Sequence, residues 1–194
     1  MTKVDLLIDE IKQCTTCANS LINGVNPVFS FSKKSRIAIV GQAPGLAVHK
    51  SGIPWHDKSG DRLREWLSVS KEQFYNPDIF AIVPMGFCYP GKGKSGDLPP
   101  RKECAPQWHN KIFETCTNIE LIILIGGYAQ KCYLEERQKK TLTEIVRSYN
   151  EYLPKYIVLP HPSPRNNIWL KKNDWFEREM IPEVQKLIGR IDYL

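Results

Sequence analysis

The stretch Arg36–Gly41, with the sequence RIAIVG, is the basis of the fold prediction. Its apolar residues are nearly continuous and rich in Ile and Val, as in strands that are covered on both faces of a sheet. Comparable runs recur three more times along the chain, at Ile79–Met85 (IFAIVPM), Leu121–Gly126 (LIILIG) and Tyr156–Pro160 (YIVLP). We therefore predict four buried strands.

Helix-like patterns separate these strands. In Asp61–Leu67, the residues Leu63, Trp66 and Leu67 have the i, i+3, i+4 spacing of one helical face. This alternation predicts a three-layer α/β/α domain with a central, mostly parallel four-stranded sheet. The other predicted helices are Val4–Cys14, Ala105–Cys116, Ala129–Leu134, Leu142–Tyr149 and Trp175–Ile191.

Length and composition restrict the class of protein. The 194 residues suit one domain, predicted to span residues 1–194, and the net charge of +6 is compatible with a polyanionic partner. No apolar run is long enough to span a bilayer. The N-terminal sequence MTKVDLLIDE lacks the basic start and apolar core of a signal peptide. We expect a cytoplasmic protein that is monomeric and does not insert into a membrane.

Two short motifs follow the first and the last predicted strand. Gly41–Gly45 (GQAPG) has glycines that permit a sharp turn and a close approach to a ligand, although an ordinary β-to-α turn also uses them. His161–Asn166 (HPSPRN) has two prolines that restrict the loop carrying the histidine. Ligands of parallel sheets bind beyond the carboxyl ends of the strands. Four segments should therefore converge there: Gln42–His56, Gly86–Arg101, Gly127–Gln130 and His161–Asn167.

These two motifs together resemble the paired active-site motifs of the uracil-DNA glycosylase superfamily. There, a motif of the form G-[QEM]-[ADN]-P-[GY] follows the first strand and H-P-S-P follows the last one. The resemblance runs from about Ile37 to Trp169. It implies a hydrolase that flips a damaged base, such as uracil, out of DNA and cleaves its N-glycosidic bond.

The resemblance also assigns residues to the base pocket. It implies that His161 hydrogen-bonds the base and stabilises the departing anion, and that Trp55 stacks on the flipped base. A tryptophan buried in the core is the alternative interpretation of Trp55. The edge of the base would be contacted by Gly41, Gln42 and Ala43.

A further set of residues is assigned to DNA binding. By resemblance, Ser163, Arg165 and Asn166 lie beside the flipped nucleotide. The loop after the second strand is basic, which suits phosphate contacts, although a solvated surface loop would look the same. Its basic residues are Lys92, Lys94, Arg101 and Lys102.

Two positions depart from the iron–sulfur branch of the superfamily. Its first motif usually contains Glu, whereas this chain has Gln42, which cannot act as a general base but could orient a water molecule. An uracil-recognising Asn is replaced by Pro84, which offers no side-chain donor. We consider Asp57 a candidate for water activation, and we expect Asp61 to begin the following helix.

Four of the six cysteines suggest a metal centre. Cys14 and Cys17 form a C-x-x-C pair, and Cys88 and Cys104 follow the second strand. Four thiolates can hold either an iron–sulfur cluster or a tetrahedral zinc ion. The resemblance to the iron–sulfur branch implies a structural [4Fe–4S] cluster away from the base pocket. Cys116 and Cys132, in apolar helical surroundings, are predicted to be buried thiols.

Three functions are compatible with these features. The first is a DNA glycosylase acting on DNA that contains a damaged base. The second is a DNA-binding or damage-sensing protein of the same fold that does not cleave, favoured by Gln42 and Pro84. The third is a small-molecule hydrolase or nucleotide-binding enzyme, which the lack of a P-loop glycine pattern disfavours.

Overall fold

The computed structural model describes residues 2–134 and 141–191 and confirms the predicted α/β architecture. Four strands form one parallel sheet in the order β2-β1-β5-β6. β1 (Ile37–Val40) pairs with β2 (Phe80–Ile82) and with β5 (Leu121–Ile125), and β5 pairs with β6 (Tyr156–Leu159). All four predicted strands are therefore present. A separate antiparallel hairpin, β3 (Lys92–Gly93) and β4 (Gly96–Asp97), was not indicated by the sequence patterns.

Nine α-helices and several tighter or wider turns surround the sheet in the described parts of the chain. Short 3₁₀ turns occupy Ala18–Ser20, Tyr149–Tyr152 and Pro164–Asn166, and a π turn spans Phe176–Met180. No described helix is long and apolar enough to cross a membrane. The helices are α1 (Lys3–Lys12), α2 (Leu46–Ser51), α3 (Lys58–Leu67), α4 (Lys71–Phe74), α5 (Cys104–Thr115), α6 (Gly126–Tyr133), α7 (Leu142–Arg147), α8 (Asn167–Lys172) and α9 (Ile181–Gly189).

The core consists of two apolar layers, one on each face of the sheet. In β1, Ile37 and Ile39 pack into one layer, whereas Ala38 and Val40 pack into the other. The first layer includes apolar side chains of α3 and α9, and the second those of α1 and α5. Side chains alternate along a strand, so a run that is apolar at every position requires cover on both faces.

Several element boundaries differ from the predictions for identifiable reasons. The second strand ends at Ile82, although the backbone N–H groups of Val83 and Met85 still donate to the carbonyl groups of Ile39 and Gly41 (2.9 Å each). On the opposite edge, Pro84 has no N–H that could extend the bridge between Ile82 and Ser30. The helix predicted from Asp61 begins at Lys58, because the side chain of Asp57 caps it. The long C-terminal helix is interrupted by the π turn that precedes α9, where Pro182 cannot donate to the carbonyl group one turn earlier.

A buried histidine fixes the end of β2. The ring of His109 contacts the carbonyl oxygen of Pro84 through Nε2 (3.0 Å) and the hydroxyl of Tyr133 through Nδ1 (2.5 Å). A carbonyl can only accept, so Nε2 carries the proton and Nδ1 accepts from the tyrosine. Burial lowers the pKa of His109 to about 4. The segment after β2 is therefore tied to α5 and α6.

This histidine predicts a pH dependence of stability. Because the pKa of His109 is about 4 in the folded chain and 6.5 as its ordinary value, the unfolded state binds more protons between these pH values. We expect its contribution to lower the free energy of unfolding by about 3 kcal/mol as the pH falls from about 6.5 to about 4. Denaturant unfolding across this range measures the effect. His109→Gln, which cannot titrate, should show a shallower dependence, and equal slopes would contradict this prediction.

Candidate active site

A cavity of about 430 Å³ opens at the carboxyl edge of the parallel sheet. Residues of three of the four segments expected to converge line this cavity. The fourth segment, Gly127–Gln130, which the structure describes in full, contributes no lining residue. The two loops that carry the sequence motifs, Gly41–Gly45 and His161–Asn166, thus face one common space.

All residues predicted to contact the base line this cavity, as does Asp57. Gly41 lies against the indole of Trp55, and a Cβ atom at this glycine would be 2.8 Å from Cζ2 of the tryptophan. The rings of Trp55 and His161 are 5.6 Å apart between centroids, with an interplanar angle of 33°. The base-contact candidates that share the cavity wall are Gly41, Gln42, Ala43, Trp55 and His161.

Trp55 has an unusual backbone conformation. Its φ angle of 56° lies in the left-handed region, which residues other than glycine rarely adopt. The carbonyl oxygen of Trp55 accepts a hydrogen bond from the Tyr75 hydroxyl (3.4 Å), and Gly60 packs directly against this carbonyl. The side chain packs on the core and also lines the cavity, so it combines the two roles considered for it from the sequence.

His161 is held as a neutral imidazole. Its Nδ1 accepts the backbone N–H of Ser163 (3.2 Å), so the proton resides on Nε2. Burial lowers the pKa of His161, and the nearby charge of Asp57 opposes this shift in part. The carbonyl oxygen of His161 accepts from the side-chain amide of Asn166 (2.7 Å). The loop therefore presents an imidazole with one N–H donor.

Asp57 has a structural contact and also lines the cavity. Its Oδ1 accepts the backbone N–H of Gly60 (2.9 Å) and so caps α3. Asp61, which was expected to begin this helix, instead lies in its first turn and pairs with the buried Arg64 (2.6 Å). Asp57 caps the helix in place of Asp61 because its carboxylate, three residues before Gly60, reaches the N–H of that glycine.

Sequence patterns missed the residues that the β3–β4 hairpin brings to the cavity. Asp97 and Leu98 line it, and Oδ1 of Asp97 accepts from the hydroxyl of the buried Tyr89 (3.3 Å). The guanidinium of Arg165 donates to the carbonyl of Ser95 (3.2 Å), which ties the hairpin to the histidine loop. The glycines of this segment were the one signal of a tight hairpin.

The residues predicted to contact DNA lie in two places. Ser163, Arg165 and Asn166 line the cavity, and Lys92 and Lys94 are exposed on or beside the hairpin strands. Such side chains could contact phosphates next to a nucleotide in the cavity.

Arg101, which was predicted to contact DNA, does not lie with the residues around the cavity and the hairpin. It lines no part of the cavity and instead forms an ion pair with Glu103 (2.6 Å) beside the cysteines. The hydrogen bond to Glu103, and to a lesser degree the nearby sulfur of Cys17, raises the pKa of the arginine. The order of residues in the loop could not show that Arg101 turns away from the hairpin. Lys102 is exposed.

The four cysteines suggested as metal ligands lie close enough to affect one another electrostatically. Burial raises the pKa of Cys88 to about 11 and that of Cys104 to about 12, and the other thiols add to the shift. Cys17 is buried and Cys14 is half-buried. In number and kind, these thiols suit a metal centre. However, no three His, Cys, Asp or Glu side chains of residues 2–134 and 141–191 already form a compact ligand group.

The two remaining cysteines differ from each other. Cys116 is buried directly after α5, as predicted. Cys132 is exposed on α6, so the prediction of a buried thiol was wrong there. The apolar residues near Cys132 in the sequence lie on other faces of this helix, where Ala129 is buried in the core and Tyr133 packs against it.

Comparison with known protein families agrees with the geometry of the cavity. The family model described as the uracil DNA glycosylase superfamily matches residues 29–185, which is most of the chain. The matched region begins before β1 and ends within α9, and it includes both loops that meet at the cavity. Membership indicates a DNA glycosylase-like function in DNA repair, with DNA as the bound substrate. The chain belongs to the uracil-DNA glycosylase superfamily.

Proposed function

We propose that this protein is a DNA glycosylase that draws a damaged base into the cavity and hydrolyses its N-glycosidic bond. The observation that carries the proposal is the neutral imidazole of His161, which retains its proton on Nε2 and shares a cavity with Trp55 and the Gly41–Gly45 turn. A nucleotide must leave the helix to reach such a site, which costs a few kcal/mol in lost stacking and pairing.

His161 would act on the departing base. Cleavage leaves negative charge on the base, and a preorganised N–H donor beside a carbonyl oxygen of the base stabilises this anion. The hydrogen bonds from Ser163 to Nδ1 and from Asn166 to the carbonyl group orient the imidazole before the base arrives. The donor therefore needs little reorganisation during the reaction.

The first loop would hold the base itself. Within the described part of the chain, the backbone N–H groups of Gln42 and Ala43 have no acceptor, and both residues line the cavity. The indole of Trp55 offers a surface for stacking, and Gly41 leaves room for that ring. These contacts support base binding without requiring a charged side chain in the first loop.

Asp57 would act on the sugar side of the reaction. Gln42 cannot accept a proton, whereas the carboxylate of Asp57 lines the same cavity and is close enough to His161 to offset part of the lowering of its pKa by burial. We propose that Asp57 orients the attacking water and stabilises the positive charge that develops on the sugar. Gln42 helps to orient this water molecule through its side-chain amide.

Contacts to the DNA backbone would come from the rim of the cavity. Lys92 and Lys94 on the hairpin and Arg165 on the histidine loop are joined through the bond from Arg165 to Ser95. A basic rim of this kind suits phosphates on either side of the flipped nucleotide.

The direct test is base release from synthetic DNA. Duplexes and single strands that each contain one uracil, hypoxanthine or xanthine are incubated with the protein, and alkali then cleaves the abasic product. We expect cleavage at the position of at least one lesion. If no lesion gives product, the hydrolase proposal is wrong.

A second function is supported by two side chains of the cavity. Gln42 provides no general base and Pro84 provides no side-chain hydrogen bond to a base, which favours a protein that binds damaged DNA without cleaving it. This alternative predicts tighter binding to DNA with a lesion than to matched undamaged DNA, in the absence of any abasic product. Gel-shift and cleavage assays on the same duplexes separate the two functions.

We also propose that Cys14, Cys17, Cys88 and Cys104 hold a structural [4Fe–4S] cluster. Bound there, it would join the segment after α1 to the loop after β2 and to the start of α5, and it would have no direct part in the cleavage.

The cluster proposal predicts a coloured protein after anaerobic purification that contains iron and acid-labile sulfide. Cys88→Ser should lose most of this iron and unfold at lower denaturant concentration. Cys132→Ser, at an exposed thiol outside the set, is the matched control. Stoichiometric zinc without iron would instead support a tetrahedral zinc site.

A further inference from the structure

One acidic residue of the cavity lining, Asp97, has no part in the steps proposed above. We propose that Asp97 recognises the N–H edge of the flipped base, and that it favours a deaminated purine such as hypoxanthine over uracil. This inference rests on the proposed glycosylase function and specifies its substrate class.

Pro84 cannot supply this recognition. Its ring has no donor, and its carbonyl oxygen already accepts the Nε2 proton of His109 (3.0 Å). The residue lines the cavity through apolar atoms only, since its one polar group is engaged on the other side. The N–H edge of a base in the cavity must therefore be recognised by another residue of the lining.

Asp97 is held in a position to serve as that partner. The buried Tyr89, 3% exposed, donates its hydroxyl to Oδ1 (3.3 Å). The other oxygen, Oδ2, lies 3.6 Å from the position of a Cβ atom at Gly45, and thus borders the first loop of the site. Asp97 pairs with Lys92 in the hairpin, whose tip Arg165 ties to the histidine loop. The tyrosine hydroxyl therefore orients the carboxylate of this exposed residue, and the hairpin fixes its backbone.

The chemistry of a carboxylate then selects among bases. An ionised carboxylate only accepts hydrogen bonds, so it suits a ring N–H and offers nothing to a carbonyl. In uracil this N–H lies between two carbonyl groups, and the second carboxylate oxygen would face one of them. In hypoxanthine the N–H has a carbonyl on one side and a C–H on the other. With hypoxanthine, the second carboxylate oxygen therefore faces a C–H group and not the carbonyl oxygen that repels it.

The volume of the cavity is large enough for a purine. Its volume of about 430 Å³ lies within the range of ~300–1,000 Å³ that is usual for small-molecule sites. Guanine shares the N–H edge, but pairing with cytosine retains it in the helix, because flipping costs least for a mispaired base. Apolar residues of the lining outside the base-contact set include Val28, Val48, Ile82, Pro90 and Leu98.

The variant Asp97→Asn tests this inference. Asparagine has nearly the same shape but adds an amide donor, which can pair with a carbonyl beside the ring N–H. We expect the ratio of uracil release to hypoxanthine release, each opposite thymine in the same duplex, to rise about 10-fold or more. Asp174→Asn, at an exposed ion pair outside the cavity, is the matched control and should leave the ratio unchanged.

Calorimetric titration with the free bases keeps this test independent of catalysis. The wild type should bind free hypoxanthine more tightly than free uracil, and Asp97→Asn should reverse or abolish that order. If the wild type releases no base from any DNA, the excision proposal fails. The titrations still test whether Asp97 sets the preference for hypoxanthine over uracil. A change of less than about 2-fold in both the cleavage ratio and the binding ratio would overturn the role of Asp97.

Discussion

Replacement of His161 by alanine will lower the rate of base release by about 100- to 1,000-fold. Removal of a single preorganised donor to a developing anion typically has an effect of this size. The substitution deletes the Nε2 proton while leaving the backbone contact of Asn166 to residue 161 available. Single-turnover cleavage of a lesion-containing duplex measures the rate, and a filter-binding assay on the same DNA measures affinity. We expect affinity to change much less than the rate.

The matched control for this variant is His56→Ala. His56 is exposed and does not line the main cavity, so its removal should leave the cleavage rate within about 2-fold of the wild type. If His161→Ala cleaves as fast as this control, the histidine has no part in stabilising the anion. If both variants lose activity together, a general loss of structure is the cause, which a denaturation curve of each variant reveals.

Gly60→Ala is the second substitution with a large expected effect. Alanine normally stabilises a helix interior by about 0.5–1 kcal/mol relative to glycine. Here, however, a Cβ atom would lie 2.7 Å from the carbonyl carbon of Trp55 and would overlap its oxygen. The backbone of Trp55 must move, and it already has a left-handed φ of 56°. We expect the free energy of unfolding to fall by about 3 kcal/mol.

The same substitution should also affect catalysis, because it displaces the tryptophan on the cavity wall. A misplacement of about 1 Å can lower a rate about 100-fold, so base release should fall by a factor of this order. Gly189→Ala is the control. At Gly189, near the end of α9, a Cβ atom would contact nothing within 4 Å, and we expect a slight gain in stability with unchanged activity. Equal stabilities of the two alanine variants would show that the contact with Trp55 is absent.

The fold could be predicted from the sequence because its signals are local. The apolar run of β1 shows by itself that both faces are covered, and the structure places Ile37 and Ala38 in opposite layers. The predicted boundaries of elements were wrong where a single proline or capping residue overrode the apolar pattern around it. Pro182 interrupted the last helix, and Asp57 capped a helix that begins at Lys58, three residues before the predicted start at Asp61.

Only part of the candidate site could be predicted from the sequence. The two motifs were visible because each directly follows a strand, and parallel strands place their carboxyl ends at one edge of the sheet. Asp97 was not visible, since its place on the cavity wall depends on a hairpin of two-residue strands and on the contact between Arg165 and Ser95. Arg101 has the same kind of sequence environment as Lys94, yet it turns toward Cys17 and Glu103.

The sequence alone therefore determined the layers of the fold, the order of its elements and the two loops that carry the site, because periodicity and turn residues act over a few neighbouring positions. Only the tertiary structure decided which nitrogen of His161 carries the proton, which carboxylates border the cavity and where Trp55 lies. These properties depend on contacts between residues far apart in the chain, and such contacts exist only once the sheet and its loops have packed together.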